Sequence, residues 1–394
     1  MTQDAVPTGP LAGYRVLELC STLAGPFATM LLADQGADVI KIESAGGDQG
    51  RQVGSSREGV AGMSTMFLNV NRNKRSVLLD LKSPADVETA RAIARQCDVV
   101  VQNFRPGVVE RLGMGYDDLR ALREDIIYVS ISGLGETGIG RRRRVYDVVL
   151  QGIAGFASVQ ADTGSGEPHQ VQQAITDKVT SLIVAQAATA ALLHRARTGL
   201  GQHVKVNMLD AALAFIWPES MPWDTLVGEG VRKGGLLSSI RYIFPTADDP
   251  IVLGFVSNDE FEAVCQVLER TDLLADARFA TIAQRFSNAK SLNQEVAAAL
   301  KQRPAADWLA RLATVEAVYA PVNRPDQIHD DPHVIACGSL EEREHPLLGR
   351  YRQPVHPASF SATPAQFRRH APLLGEHTEE VLADLSIAGA GTQP

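Results

Sequence analysis

The sequence predicts a doubly wound, Rossmann-like α/β large domain and a smaller α+β domain. Short apolar segments alternate with helical segments over residues 1–217, which is typical of a parallel sheet with helices packed on it. Beyond residue 217 proline and glycine become frequent and the alternation stops. The length of 394 residues also favours two domains over one core.

The chain opens with a βαβ unit. Residues 14–20 (YRVLELC) and 37–43 (ADVIKIE) are short apolar runs typical of strands. The apolar segment FATMLLADQ between them predicts a helix, with Pro26 in its first turn and Gly36 just past its end. Strands joined through such a helix lie parallel, so this unit predicts a parallel sheet.

The same alternation continues toward residue 132. We expect strands at 76–81, 98–101 and 126–132, and helices at 83–96, 106–112 and 116–123. Ligands of open α/β sheets bind where strands end and helices begin. The candidate binding places are therefore 21–26, 43–50, 103–107 and 133–138.

A long helical segment covers residues 171–200. Its Ala-, Leu- and Val-rich run ends at Gly199 and Gly201 and predicts one buried helix. Thr176 and Asp177 stand at its start, where four backbone N–H groups lack partners within the helix. Those donors and the helix dipole would hold a carboxylate ionised. Asp177 can therefore be a simple helix cap or an oriented nucleophile.

The rest of the chain divides between the two domains. A strand at 203–208 and a helix from residue 209 complete the large domain, which also receives the C-terminal segment 325–394. The linker and small domain occupy 218–324. There we expect a hairpin at 242–244 and 251–255, and helices at 259–270, 285–301 and 305–313.

Composition and motifs exclude several function classes. The net charge of −8 disfavours non-specific binding to nucleic acid. The four cysteines form no CxxC pair and the histidines no compact ligand spacing, so we expect no metal site and a reducing, cytoplasmic location. We see no secretory signal, no membrane span, no Walker A lysine motif and no G-x-S-x-G.

Two local patterns each have two interpretations. Basic residues cluster at Arg72, Lys74 and Arg75 and again at 141–144, either as a solvated surface or as an attraction for a polyanionic ligand. The segment GLGETG at 133–138 matches a dinucleotide motif, but no apolar helix follows it. A glycine loop that closes over a site is the better interpretation.

A third pattern, YDVVLQGIAGF, begins at Tyr146. Asp147 in it either caps the helix that carries Gln151 or lies beside Asp177.

Several segments in this order resemble the class III (family III) coenzyme A transferases. They include LAGYRVLELCSTLAGPFATMLLADQGADVIKIE, VVVQNFRPGVVERLGMGYDDL, VYDVVLQGIAGF and ITDKVTSLIVAQAATAALLHRARTGL. The family groups formyl-CoA transferase, carnitine CoA-transferase and the 2-methylacyl-CoA racemases. The resemblance implies acyl-CoA and carboxylic acid substrates, no permanently bound cofactor, and an interlocked homodimer.

The resemblance also implies roles for individual residues. Asp177 is the implied nucleophile, forming an aspartyl anhydride and then an aspartyl-CoA thioester, with Tyr146, Asp147 and Gln151 in support. The implied CoA contacts are Thr22, Leu79, Lys82, Asn103, Phe104, Arg111, Leu112 and Arg144. The implied active-site loops contain Ser21, Leu23, Ala24, Gly133, Gly135, Gly138, Gly234 and Gly235.

Departures from the family pattern bear on the substrate. Leu23 and Ser44 stand where formyl-transferring members have glutamine and arginine. Leu23 disfavours a small polar acceptor, and Leu23 together with the apolar surroundings of Gly234 favours a larger or more apolar acyl group. The stretch VYDVVLQG lacks the histidine of the racemase branch, and racemisation needs a base on each face of the α-carbon. A racemase or epimerase and a non-catalytic acyl-CoA-binding protein remain the alternatives.

Overall fold

The computed structural model describes residues 8–141, 143–162, 165–221, 224–231 and 242–387. The chain divides into two compact units. One is formed within residues 1–221 and 339–394, and the other within residues 222–338.

A six-stranded sheet is the centre of the large unit. Its strands are β1 (Arg15–Leu19), β2 (Asp38–Glu43), β3 (Lys74–Leu78), β4 (Val99–Gln102), β5 (Ile127–Ser132) and β6 (Gln202–Asn207). All neighbours are parallel, in the order β3-β2-β1-β4-β5-β6. This order confirms the predicted mixed α/β fold with a large parallel sheet, and it reverses direction between β1 and β4.

Helices cover both faces of this sheet. They are α1 (Ala24–Asp34), α2 (Thr65–Val70), α3 (Pro84–Arg95), α4 (Val108–Arg111), α5 (Tyr116–Arg120), α6 (Asp147–Ile153), α7 (Phe156–Val159), α8 (Ile175–Thr198) and α9 (Met208–Ser220). Alternate strand residues belong to opposite cores. Val16 packs with α1 and α8, whereas the neighbouring Leu17 packs with α3. Burial on both faces explains the nearly continuous apolar strands.

Helix α8 has the predicted start and stop. It begins at Ile175, and Gly199 follows it with φ of +75°, a left-handed conformation that glycine adopts without strain. The expectation of a wholly buried helix is wrong, because Leu182 and Leu193 are 57% and 53% exposed. Within the described residues this helix alone is long and apolar enough to cross a membrane. Its other face packs in the core of the sheet.

The C-terminal segment returns to the large unit. It contains a hairpin of β10 (Leu340–His345) and β11 (Gly349–Pro354), and the short helix α16 (Thr378–Asp384). The backbone N–H of His377 donates to the carbonyl of Ser76 on β3. This contact fastens the end of the chain to the edge of the sheet.

The small unit combines a three-stranded antiparallel sheet with helices. Its strands are β7 (Ile243–Phe244), β8 (Ile251–Gly254) and β9 (Val318–Pro321), and its helices are α10 (Asn258–Val267), α11 (Asp272–Ala275), α12 (Ile282–Ser287), α13 (Ala289–Leu300), α14 (Ala305–Leu312) and α15 (Pro332–Ala336). The helix expected at 285–301 is interrupted at Asn288, whose side chain donates to the Gln284 carbonyl. Strand β9 pairs with β8, and the unit continues to residue 338, beyond the expected boundary at 324.

Candidate active site

The site lies where the sheet order reverses, between the carboxyl ends of β1 and β4. The segments that leave these two strands are joined by paired hydrogen bonds. The backbone N–H of Ser21 donates to Asn103 Oδ1 at 3.1 Å, and Asn103 Nδ2 donates to the Ser21 carbonyl at 2.9 Å. Such a reversal opens a crevice in which α/β proteins bind ligands.

A cavity of about 330 Å³ occupies this place. The expected site residues that line it are Ser21, Thr22, Leu23, Ala24, Asn103, Phe104, Gly133, Gly135, Arg144, Tyr146, Asp147 and Asp177. Four separate segments of the chain therefore meet Asp177 at one cavity.

The other expected residues lie elsewhere. Arg111 lines a neighbouring cavity of about 620 Å³, and Phe104 borders both cavities. Leu79 and Leu112 pack into the core on the α3 face. Neither cavity is lined by Leu79, Leu112, Lys82, Gly138 or Gln151, while Gly234 and Gly235 lie outside the described residues. The roles of all these residues in CoA binding and catalysis stay predictions.

The start of helix α8 is capped by a residue from another helix. Asp147 Oδ1 accepts hydrogen bonds from the Thr176 backbone N–H at 2.7 Å, the Thr176 hydroxyl at 2.6 Å and the Asp177 backbone N–H at 3.2 Å. Asp147 does not cap its own helix α6, whose N-cap Tyr146 makes no side-chain cap bond. The interpretation of Asp177 as a simple cap of its own helix is therefore wrong.

Gln151 holds Asp147 and the segment before α8 in place from the side away from the cavity. It is buried, and its Nε2 donates to Asp147 Oδ2 at 2.5 Å and to the Gln173 carbonyl at 3.0 Å. Its Oε1 accepts from the backbone N–H of Val171 at 2.8 Å. Gln151 therefore positions both Asp147 and the chain that leads into α8, without reaching the cavity.

The Asp177 carboxyl is electrostatically unusual. Burial and, to a smaller extent, the negative charge of Asp147 raise its pKa to about 7. The expectation that the helix start holds it fully ionised is wrong, because Asp147 already takes the N–H donors of that first turn. Near neutral pH the side chain is thus divided between its ionised and neutral forms, which suits a carboxyl that takes part in chemistry.

The two basic clusters have different environments. Arg141, Arg143 and Arg144 are exposed and line the cavity, so they give it a positive rim suited to a polyanionic ligand. Arg72, Lys74 and Arg75 are instead buried in ion pairs with Asp34, Glu18 and Asp38. For this second cluster, both interpretations from the sequence are wrong.

Some residues near the site were not predicted from the sequence. Met208 also lines the cavity, and so do Gln49, Arg105, Arg141 and Arg143, which lie in segments expected to bind a ligand but were not named as site residues. Beneath it lies a buried cluster in which Lys41 Nζ is 2.7 Å from Glu18 Oε1 and 2.8 Å from Asp48 Oδ2. Burial alone would raise the pKa of Glu18, but Lys41 and Lys74 lower it to about 2. Charged residues within otherwise apolar strands were the available sign of this cluster.

The chain is similar to known proteins over nearly its whole length. The model of the family "CoA-transferase family III" matches residues 11–378. The chain is 34% identical over 381 residues to the succinyl-CoA:glutarate CoA-transferase of Mus musculus, covering 95% of this chain and 86% of that protein. It is 33% identical to the succinate–glutarate CoA-transferase of Agrobacterium fabrum (strain C58 / ATCC 33970), covering 95% and 96%. The crystal structure of a CAIB/BAIF family protein from Brucella suis superposes with a TM-score of 0.84 at 30% identity, covering 96% of this chain and 100% of that one.

Proposed function

Because the chain belongs to CoA-transferase family III, we propose that it moves CoA from an acyl-CoA donor to a carboxylic acid acceptor through covalent chemistry at Asp177. The observation that carries this proposal is the placement of Asp177. Its carboxyl lies on the cavity at the sheet reversal, on the first turn of a long helix, beside exposed arginines.

The first half of the proposed reaction consumes the donor. The ionised Asp177 carboxylate attacks the thioester carbonyl, the C–S bond breaks, and CoA leaves as the thiolate. The thiolate then attacks the aspartyl carbonyl of the resulting mixed anhydride. This gives an aspartyl-CoA thioester and the free donor acid.

The second half runs the same steps in reverse with the acceptor. The acceptor carboxylate attacks the aspartyl thioester, and the released thiolate attacks the acceptor carbonyl of the new anhydride. The new acyl-CoA forms and the Asp177 carboxylate is restored. One thioester replaces another, so the exchange needs no external source of energy.

Each attack passes through an oxyanion that needs hydrogen-bond donors. Two backbone segments on the cavity can supply N–H groups, namely the turn at 21–24 and the glycine loop at Gly133 and Gly135. Water must also be kept from the anhydride, which would otherwise hydrolyse. The glycine loop is our candidate for that closure, since Gly135 has φ of +82°.

We propose short dicarboxylic acids as the exchanged acids, with succinyl-CoA as donor and glutarate as acceptor for the first assay. Relatives from a mammal and a bacterium are named for succinate and glutarate. The rim arginines support this choice, because a guanidinium can pair with the second carboxylate of such an acid. Leu23 also lines the cavity, and the preference for a larger or more apolar acyl group stays a prediction. A panel of acyl-CoAs and free acids decides between them.

We also propose that the active form is the interlocked homodimer. Large apolar side chains stand exposed on α6, α8 and α9, among them Val148, Ile153, Leu182, Leu193 and Phe215. Exposed apolar surface of this kind is commonly covered by a protein partner. A second copy of the chain is the occupant that the family resemblance implies.

The decisive experiment replaces Asp177. We expect Asp177→Ala to abolish transfer while binding of CoA, measured by calorimetry, is kept. Hydroxylamine or borohydride added during turnover, followed by peptide mass spectrometry, should mark Asp177 in the unaltered protein. Transfer at the wild-type rate in Asp177→Ala would disprove the proposed nucleophile.

The alternatives give different results in the same assays. A racemase or epimerase would exchange the C2 proton of a branched acyl-CoA in deuterated water, and no histidine is among the described residues that line the cavity. A non-catalytic acyl-CoA-binding protein would bind CoA, and neither the unaltered protein nor Asp177→Ala would show CoA transfer or proton exchange.

A further inference from the structure

The turn after β1 contains a strained residue. Thr22 has φ of +74°, in the left-handed region that β-branched residues rarely occupy. Thr22 also lines the cavity that Asp177 faces. Strain of this kind persists only where the surroundings enforce it, and it concentrates at functional sites.

Asp48 is hydrogen-bonded to this strained turn. Its Oδ1 accepts hydrogen bonds from the backbone N–H groups of Thr22 at 2.8 Å and of Gly50 at 2.7 Å. The side chain is buried, and its Oδ2 lies 2.8 Å from the Nζ of Lys41. Lys41 in turn donates to the Cys20 carbonyl at 2.8 Å. Residues on both sides of Ser21 are therefore tied to one buried ion pair.

The ion pair belongs to a larger cluster with balanced charge. Glu18, Lys41 and Lys74 are completely buried, and Glu18 lies 2.7 Å from Lys41 and 2.8 Å from Lys74. With Asp48 the cluster holds two acids and two bases, anchored in β1, β2 and β3. Buried ion pairs contribute little net stability compared with apolar packing. A positioning role would explain why four charged side chains are buried here.

The same turn contacts the helix that carries Asp177. The Ser181 hydroxyl, one turn beyond Asp177, bonds to the Ala24 carbonyl at 2.8 Å and to the Asp177 carbonyl at 2.8 Å. Through Ser181, the backbone of the turn is held at a fixed position relative to the first turn of the helix that carries Asp177.

We propose that Asp48 is a positioning residue for the reaction. Through the Thr22 backbone N–H it holds the turn at 21–24 in its strained form, which presents that backbone to the acyl group at Asp177. This inference rests on the proposed function, because it assigns the turn a part in the reaction at Asp177.

The test combines Asp48→Ala with Thr22→Gly, because glycine adopts a positive φ without an external restraint. With succinyl-CoA and glutarate, we expect Asp48→Ala to lower kcat about tenfold or more, as misplaced catalytic groups do. The KM of succinyl-CoA should change less than about threefold. When Thr22→Gly is already present, adding Asp48→Ala should cost less than about threefold in kcat.

Asp34→Ala is the matched control. Asp34 is a buried carboxylate of the same unit whose partners are Arg72 and Asn73, and it makes no bond to the turn. We expect it to lower the melting temperature with kcat unchanged and no coupling to Thr22→Gly. If Asp48→Ala does not fold, the double variant Asp48→Ala with Lys41→Met is used in its place. This double variant removes one acid and one base, so the cluster stays neutral. An unchanged kcat in the Asp48 variant, or no rescue by Thr22→Gly, would overturn the proposal.

A second measurement separates this inference from the proposed function. Hydrogen exchange of the Thr22 backbone amide needs no substrate, and we expect it to accelerate in the Asp48 variant but not in Asp34→Ala. Absence of CoA transfer in the unaltered protein would refute the proposed function. Hydrogen exchange of the Thr22 amide would then still test whether Asp48 holds the turn. Equally slow exchange in the Asp48 variant would refute the role of Asp48 alone.

Discussion

Asp147 Oδ1 accepts a hydrogen bond of 3.2 Å from the backbone N–H of Asp177, so two aspartates share the start of one helix. Asp147 satisfies the helix donors, while Asp177 remains at the cavity with a pKa raised to about 7. Asp147 therefore caps the helix, and the Asp177 carboxyl is left for the proposed chemistry. This division has consequences that can be measured as a function of pH.

The first prediction concerns the pH dependence of transfer. The proposed nucleophile is the ionised Asp177 carboxylate, so we expect kcat/KM to rise with pH through about 7. Asp147→Asn removes a negative charge that raises the Asp177 pKa, and it should move the midpoint to lower pH. Burial remains in that variant, so the midpoint should stay above 3.8. Identical midpoints in the two proteins would contradict this account.

The second prediction concerns stability. A folded-state pKa raised above the unfolded value means that ionisation opposes folding, so this group costs stability as pH rises from about 4 to about 7. Asp177→Asn removes that cost, and we expect it to be more stable than the wild type at pH 8 by up to about 4 kcal/mol. At pH 4 the two proteins should unfold at nearly the same temperature.

Asp326→Asn is the control for this stability measurement, because Asp326 is an exposed aspartate whose carboxylate lies 3.4 Å from the likewise exposed Arg324. Its unfolding temperature should follow that of the wild type at both pH values. A gain by Asp177→Asn that is equal at pH 4 and pH 8 would show that the carboxyl titrates normally.

The sequence predicts those parts of the fold that depend on local chemistry. Helix α3 starts after Ser83, whose side chain accepts from the Asp86 backbone N–H, and α8 ends at Thr198, just before Gly199. Both boundaries were evident from single residues. Strand β9 and the β10–β11 hairpin were not predicted, because β9 has only four residues and β10 (LEEREH) and β11 (GRYRQP) are rich in charged and polar residues, so that all three owe their form to pairing partners.

The sequence predicted which segments form the site better than it predicted the electrostatic environment of Asp177. The segments around Thr22, Asn103, Gly133 and Asp177 were expected at the ends of strands or the start of a helix, and they do meet at one cavity. The cap from Asp147 spans thirty residues of sequence, and the pKa of Asp177 depends on burial. Neither property is encoded in a local pattern.

The third prediction concerns the arginine rim. Replacing Arg141 and Arg143 together by Gln should raise the KM for acyl-CoA about tenfold with a small effect on kcat, because exposed guanidiniums attract an anionic substrate before reaction. The wild-type KM should increase with salt, and this dependence should weaken in the variant. Arg350→Gln, which changes an exposed side chain of strand β11, is the control and should leave KM unchanged. Equal salt dependence in all three proteins would argue against the rim.

The last prediction concerns assembly. Leu182 projects from α8 and is 57% exposed, so in a homodimer covered on this face a lysine at this position would bury a charge. We expect Leu182→Lys to shift the protein from dimer toward monomer in light scattering coupled to gel filtration. Ile335→Lys on α15, which is 62% exposed, serves as the control for a new surface lysine and should keep the wild-type mass. The proposed chains are interlocked, so separation requires partial unfolding, and the Leu182 variant should be compared after refolding from denaturant as well as when purified natively. A dimer of wild-type mass under both conditions would show that this face of α8 lies outside the interface.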